Sequence, residues 1–204
     1  MNEKILKLLA IGGSALTSSP STSTLARPLT SILGLKNGFY AFEGALHVIP
    51  DAVLGGTPRG LADWNAENTW VGSYDHLADG ALFFAEDALG SQFALRDGEV
   101  VVFDPETGTF EPMARDLEDW AAKVLADPDV WTAHSLARAW QEANGQLRDG
   151  HRLVPVTPFV LGGAFSVENL RSMEATKGMR YRAEIAVQIR DLPDGTPVNL
   201  RVVD

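Results

Sequence analysis

The residues of this 204-residue chain whose types could do chemistry are four histidines, an acidic doublet, a glycine-rich segment and a group of aromatics among acids. The histidines are His47, His76, His134 and His151. None stands four residues from a second ligand on a helix, the spacing that aims two side chains at one metal ion, so no metal site is read from them. His47 lies between Leu46 and Val48 in an apolar run. A buried imidazole needs a hydrogen-bonding partner, and His47 reads as a core histidine with one. Glu86 and Asp87 adjoin at a hairpin turn; paired carboxylates do acid/base work when their environments split their pKa values, but on a turn a solvated pair is the plainer reading. Asp104 and Glu106 fall in the turn DPETG, where an aspartate closing on its own backbone accounts for the acid. Ser14 in GGSAL lacks the G-x-S-x-G surround of a nucleophile elbow. LGGTPRG at 54–60 has neither G-x-G-x-x-G nor G-K-S/T spacing and opens no clear helix, so it is a poor phosphate loop. The absence of cysteine excludes a disulfide scaffold, a thiolate zinc site and a cysteine nucleophile. No catalytic, cofactor-binding or metal-ligating residue is assigned, and no cofactor is expected.

The acidity is more informative. The formal net charge is −10, and residues 61–120 hold 14 acids against Arg96 and Arg115, a local charge of −12 that leaves +2 for the rest. A field of this sign repels phosphate backbones and speeds encounter with a basic protein. It also serves plain solubility. Trp64, Trp70 and Tyr74 lie inside this segment. Aromatics beside carboxylates anchor interfaces; equally, these rings could close one end of a core, and the sequence leaves both readings open. The candidate partner-binding set is therefore Asp63, Trp64, Glu67, Trp70, Asp75, Glu86 and Asp87.

The elements that must position these residues are read from periodicity. Ile5, Leu8 and Leu9 give the N-terminal segment one apolar face, predicting a marginal amphipathic helix rather than an export signal. No apolar run approaches the ~20 residues of a membrane span. TSSPSTST at 17–24 reads as a flexible linker. A short helix is predicted over 28–35, stopped by Asn37-Gly38; FYAFEGALHVIP then fits a helix or two short strands. ALFFAE, SQFALR and EVVVFD predict an antiparallel meander, its second turn at Asp97-Gly98. Leu117, Trp120, Ala121, Val124 and Leu125 form one helical stripe behind an Asp116 N-cap. A second helix spans about 132–143. RLVPVTPFVLGG, with two prolines, suits an edge strand or an extended covering segment. In YRAEIAVQIRDL the alternation of Ala183, Ile185, Val187 and Ile189 predicts a half-buried strand, followed by a turn at 193–195 and a last strand, VNLRVV.

NGFYAF, ALHVIP, LFFAEDALGSQFAL, VVVFDPETG and LEDWAAKVL, in that order across 37–125, resemble the SUKH superfamily, which includes yeast cell-wall-assembly regulators and many bacterial proteins. RLVPVTPFVLGG and QIRDLPDG are similar to a longer bacterial subgroup. Arg27-Pro28-Leu29 departs from the Leu-Pro opening of the family's first helix. The resemblance implies an α+β fold with a curved, mostly antiparallel sheet flanked by helices. It places an N-terminal segment and linker at 1–27 and one domain at 28–204. Phe84, Gly90, Phe93, Phe103 and Trp120 match family positions and read as structural. Bacterial members are taken to be immunity proteins of polymorphic or contact-dependent toxin systems. The resemblance thus implies a non-catalytic, cytoplasmic, protein-binding domain whose partner is a basic toxin, with no nucleic acid or membrane as partner. The alternatives are a regulatory or scaffold module and, behind it, an unrecognised enzyme.

Overall fold

The computed structural model describes residues 2–52, 59–193 and 195–196. The glycine-rich segment lies almost wholly outside them, as does the expected last strand. The chain folds as α+β. Six strands, β1 (Phe39–Ala41), β2 (Leu46–Val48), β3 (Leu82–Asp87), β4 (Gln92–Arg96), β5 (Glu99–Phe103) and β6 (Phe110–Ala114), form one antiparallel sheet in sequential order. The ambiguous FYAFEGALHVIP resolves into β1 and β2, reversed by three consecutive residues at positive φ, Phe42, Glu43 and Gly44. Asp97 and Gly98 both take positive φ between β4 and β5, the geometry of a tight hairpin turn whose twist matches the strands. β6 went unread in the sequence because Pro112 interrupts its pattern; as the outer strand of the sheet it tolerates a proline.

Helices cover both faces of this sheet, besides the single turns α2 (Thr30–Leu33) and α3 (Leu61–Trp64). On one, Trp120 of α4 (Leu117–Ala126) meets Phe84 and Phe93 edge-on at 5.1 and 5.7 Å. Asp116 caps α4 by accepting from the Asp119 amide, as its sequence predicts. On the other, Trp70, Tyr74, Phe83 and Phe103 pack ring against ring, and Tyr74 Oη donates to the Pro105 carbonyl at 2.8 Å beside Met179. The expected helix at 132–143 is broken at Ala133, which takes a left-handed conformation between α5 (Pro128–Thr132) and α6 (His134–Asn144). β7 (His151–Pro155) pairs with β8 (Leu170–Glu174) in a separate two-stranded sheet.

Two expectations fail. The predicted strand at 181–192 is most of a long helix, α7 (Ala175–Ile189). Its buried residues include Met179, Arg182, Ala183 and Ala186, an i, i+3, i+4, i+7 stripe. The stripe is hidden in the sequence because a charged arginine occupies one of its positions, leaving the accidental alternation of aliphatics to imitate a strand. Nor is residues 1–27 a separate, flexibly joined segment. α1 (Glu3–Ile11) buries Ile5, Leu8 and Leu9 in the main core, and Glu118 of α4 accepts the Lys4 and Ile5 amides at its N-terminus, at 2.8 and 3.1 Å. The Ser/Thr stretch is tied down by Asp51, which accepts from the Thr22 and Ser23 amides at 2.9 Å each.

α1 is therefore part of the domain. Leu8→Ala should lower unfolding stability by about 2–5 kcal/mol, the cost of an emptied core leucine. Chemical denaturation of the two proteins checks this; a midpoint unmoved by the substitution would mean α1 is a detached arm.

Candidate functional site

The seven candidate residues separate into two groups. Asp63, Glu67 and Asp75 are exposed. Trp64, Trp70, Glu86 and Asp87 are buried, Trp70 completely. The indoles close one end of the core, packed 5.6 Å apart, so they present no face to a partner. The reading of Glu86 and Asp87 as a solvated turn pair is likewise overturned: the carboxyls lie at the end of β3, enclosed on every side.

A β-bulge explains where Glu86 points. Leu82 and Phe83 pair with Leu95 and Ala94, while Ala85 and Glu86 pair with Phe93 and Gln92, so Phe84 is the extra residue. One extra residue turns every later side chain to the opposite face. Glu86 therefore shares a face with Phe83 and Gln92 rather than with Phe84. There it forms a buried polar cluster. His47 Nδ1 lies 2.9 Å from Glu86 Oε1 and Arg152 Nε 3.0 Å from the same oxygen. The Arg152 contact is an ion pair whose Nε–H is not aligned along it. Gln92 Nε2 donates to Glu86 Oε2 at 3.3 Å, and Trp64 Nε1 donates to Gln92 Oε1 at 2.9 Å. Two candidates distant in sequence, Trp64 and Glu86, are thus joined through Gln92, which the sequence reading passed over. His47 is the hydrogen-bonded core histidine expected.

The electrostatics are those of a structural cluster. Burial alone would raise the Glu86 carboxyl, but the Arg152 charge and the His47 and Gln92 hydrogen bonds hold it down at about 2. Burial lowers His47 against the pull of Glu86. The imidazole is therefore neutral and donates from Nδ1 to an ionised acceptor. A histidine oriented by a glutamate is half of a nucleophile-activating array. Here the ring stacks on Tyr40 at 4.5 Å and its Nε2 is enclosed without a partner. Asp87 is pushed up to about 6 by burial, against its hydrogen bond from Ser91. Arg182, buried in α7, donates to the Leu89 carbonyl just beyond. A side chain at Gly90, where φ is +81°, would run into that guanidinium.

What remains at the surface is acid. Of the 14 carboxylates in 61–120, Glu86, Asp87 and Glu106 are buried and eleven are exposed or half-buried. Three of the eleven, Asp97, Asp116 and Glu118, line a groove of about 710 Å³ between α1, the β4–β5 turn and the start of α4, with no basic side chain in its wall. None of the three was among the partner-binding candidates read from the sequence. Their turn and N-cap chemistry was legible, but their convergence requires α1 to pack beside α4. Among the described residues no group of three or more His, Cys, Asp or Glu could hold a metal ion, and no helix is long and apolar enough to cross a membrane.

Glu86→Gln leaves Arg152 buried without a counter-charge, and Arg152→Met leaves Glu86 so. Each should cost about 3–5 kcal/mol, and the double variant much less than the sum; denaturant titration of the four proteins reads the coupling. The pH dependence has two opposed parts. The Glu86 contribution is complete above the ordinary carboxylate range and is lost as pH falls towards 2. Asp87 favours the fold when protonated, so its contribution is complete below its unfolded range and is lost as pH rises through 6. Wild-type stability should therefore fall relative to Asp87→Asn by about 2 kcal/mol between pH 4 and pH 7. Parallel stability curves for the two proteins would contradict this.

No protein-family model matches this chain, and no curated protein matches it. Among solved structures, the crystal structure of Atu4351 from Agrobacterium tumefaciens superposes with a TM-score of 0.59, covering 90% of this chain and 88% of that one at 14% sequence identity. At that identity the likeness establishes a shared α+β fold and nothing of activity.

Proposed function

We propose that this chain is a non-catalytic protein-binding domain of immunity type, which neutralises a basic toxin in the cytoplasm of a bacterium. The observation that carries the reading is electrostatic. Eleven carboxylates of 61–120 stay at or near the surface against two arginines, and three of them gather in one groove with no basic side chain in its wall. Such a surface raises the encounter rate with a positively charged partner and disfavours nucleic acid. The SUKH-like order of motifs across 37–125 supplies the immunity part of the proposal. The enclosure of the His47–Glu86 pair favours binding over catalysis, since an array that must reach substrate needs an open approach. The scaffold alternative, in which the N-terminal helix recruits partners, is weakened because that helix already spends its apolar face on the core.

The test is co-expression with the products of adjacent genes, followed by affinity purification and toxicity assay. The cognate toxin should co-purify and lose its toxicity. Binding should weaken steeply with salt, and Asp97→Asn, which removes the charge and keeps a residue tolerant of positive φ at this turn, should slow association while leaving the fold intact. Stopped-flow association at two ionic strengths measures both effects. Toxins that stay active beside the purified protein, with none retained, would end this reading.

A further inference from the structure

A second cavity, of about 250 Å³, lies between the β5–β6 turn, α7 and the segment after β7. Its walls include two carboxylates, Asp104 and Glu106, and the Arg182 guanidinium. Glu106 is only 4% exposed. Its Oε2 accepts the Val160 amide at 2.8 Å, while its Oε1 is enclosed with no hydrogen-bond partner. Unmatched buried carboxylate oxygens are rare, because each forfeits hydration without compensation. Burial accordingly pushes the Glu106 carboxyl up, against the Val160 hydrogen bond and the Arg182 charge, and the neighbouring Asp104 charge adds to the rise. Arg182 does not supply the missing partner: its Nε and Nη1 donate to the Gly178 and Leu89 carbonyls.

The lip of the same cavity is aromatic. Phe159 and Phe165 stack face to face, with ring centroids 3.9 Å apart and planes 2° from parallel. Phe165 is 70% exposed, and Val160 beside it is also exposed. A ring held in water by another ring, in the wall of the same cavity as a carboxylate with an unmatched oxygen, is a pair of features that one kind of ligand satisfies together. A cation passing over the ring face gains from its quadrupole, and its N–H groups reach the carboxylate as charge-assisted donors. Apolar ligands would leave Oε1 unmatched, and an anion would meet two carboxylates against the one Arg182 guanidinium, whose Nε and Nη1 are already taken by carbonyls.

We propose that this cavity receives a lysine or arginine side chain of the protein partner, its cationic head on Glu106 and its stem along Phe165. The proposal rests on the reading of the chain as a binder of a basic protein, and it names a docking point away from the Asp97–Glu118 groove. Phe165 anchors the stem, Glu106 fixes the head, and Asp104 holds the turn by accepting the Glu106 and Thr107 amides.

The test is an NMR titration of the intact chain with N-acetyl-arginine amide and N-acetyl-lysine amide. Their uncharged counterpart, N-acetyl-citrulline amide, is the control. At least one cationic probe should give saturable shifts at the Glu106 and Val160 amides, with a dissociation constant in the millimolar range expected of one side chain, ~1 mM. Phe165→Ala, at an exposed position that does not threaten the fold, and Glu106→Gln, which keeps an acceptor for the Val160 amide, should each weaken binding about tenfold. Equal shifts with citrulline amide, or none with either cation, would overturn the proposal. With the cognate partner in hand, unchanged affinity of both variants would also overturn it while leaving the protein-binding reading intact. Saturation by arginine amide in a chain that binds no basic protein would overturn the docking role and leave a site for a free small cation.

Discussion

A carboxylate ionised in the interior is the constraint around which this molecule is arranged. Glu86 is 1% exposed, and removing such a charge from water costs several kcal/mol unless oppositely charged and hydrogen-bonding groups surround it. The groups that do so come from across the fold: His47 from β2, Gln92 from β4 and Arg152 from β7. Arg152 lies on the two-stranded sheet, so the ion pair ties that sheet to the six-stranded one. A buried ion pair adds little net stability over an apolar replacement. Its consequence is specificity: one register of β3 against β4 and one docking of β7 satisfy the charge, while others strand it.

The bulge at Phe84 is what makes that arrangement compatible with a two-sided core. Without it, strict alternation would send Glu86 to the face where Trp120 packs on Phe84 and Phe93. With it, β3 delivers aromatic bulk to one helix layer and a carboxylate to the other side, where Trp64, Gln92 and α7 await it. The same shift explains how the neighbours Glu86 and Asp87 acquire opposite pKa displacements. Glu86 meets a full guanidinium and two hydrogen-bond donors; Asp87 meets chiefly burial.

Burial of some acids sharpens the role of the rest. Glu86, Asp87 and Glu106 leave the surface, and those that remain are distributed over turns and helix starts, where local backbone chemistry already favours aspartate and glutamate. Acid at such positions is therefore a weak signal residue by residue. It gains meaning from convergence: Asp97 of a hairpin turn, Asp116 of an N-cap and Glu118 at the foot of α1 meet in one groove. Phe165 and Glu106 are 59 positions apart and wall one cavity.

Legible along the chain were the α+β class, the β3–β5 meander, the Asp97-Gly98 turn, α4 with its cap, the apolar face of α1 and the hydrogen-bonded role of His47. All are short-range facts, carried by the periodicity of apolar residues and the chemistry of turns and caps. The sequence alone misread α7, because Arg182 buried in the helix's inner stripe erased the helical period. It detached α1 from the domain, because nothing local records the Glu118 carboxylate that receives its N-terminus. It read Glu86 and Asp87 as solvated and left Trp64 and Trp70 open between core and interface, because whether a side chain faces water depends on a one-residue bulge and on segments more than 60 positions away. Which acids lie inside and which stay at the surface was settled by the fold, since charge burial follows what converges in space rather than what adjoins along the chain.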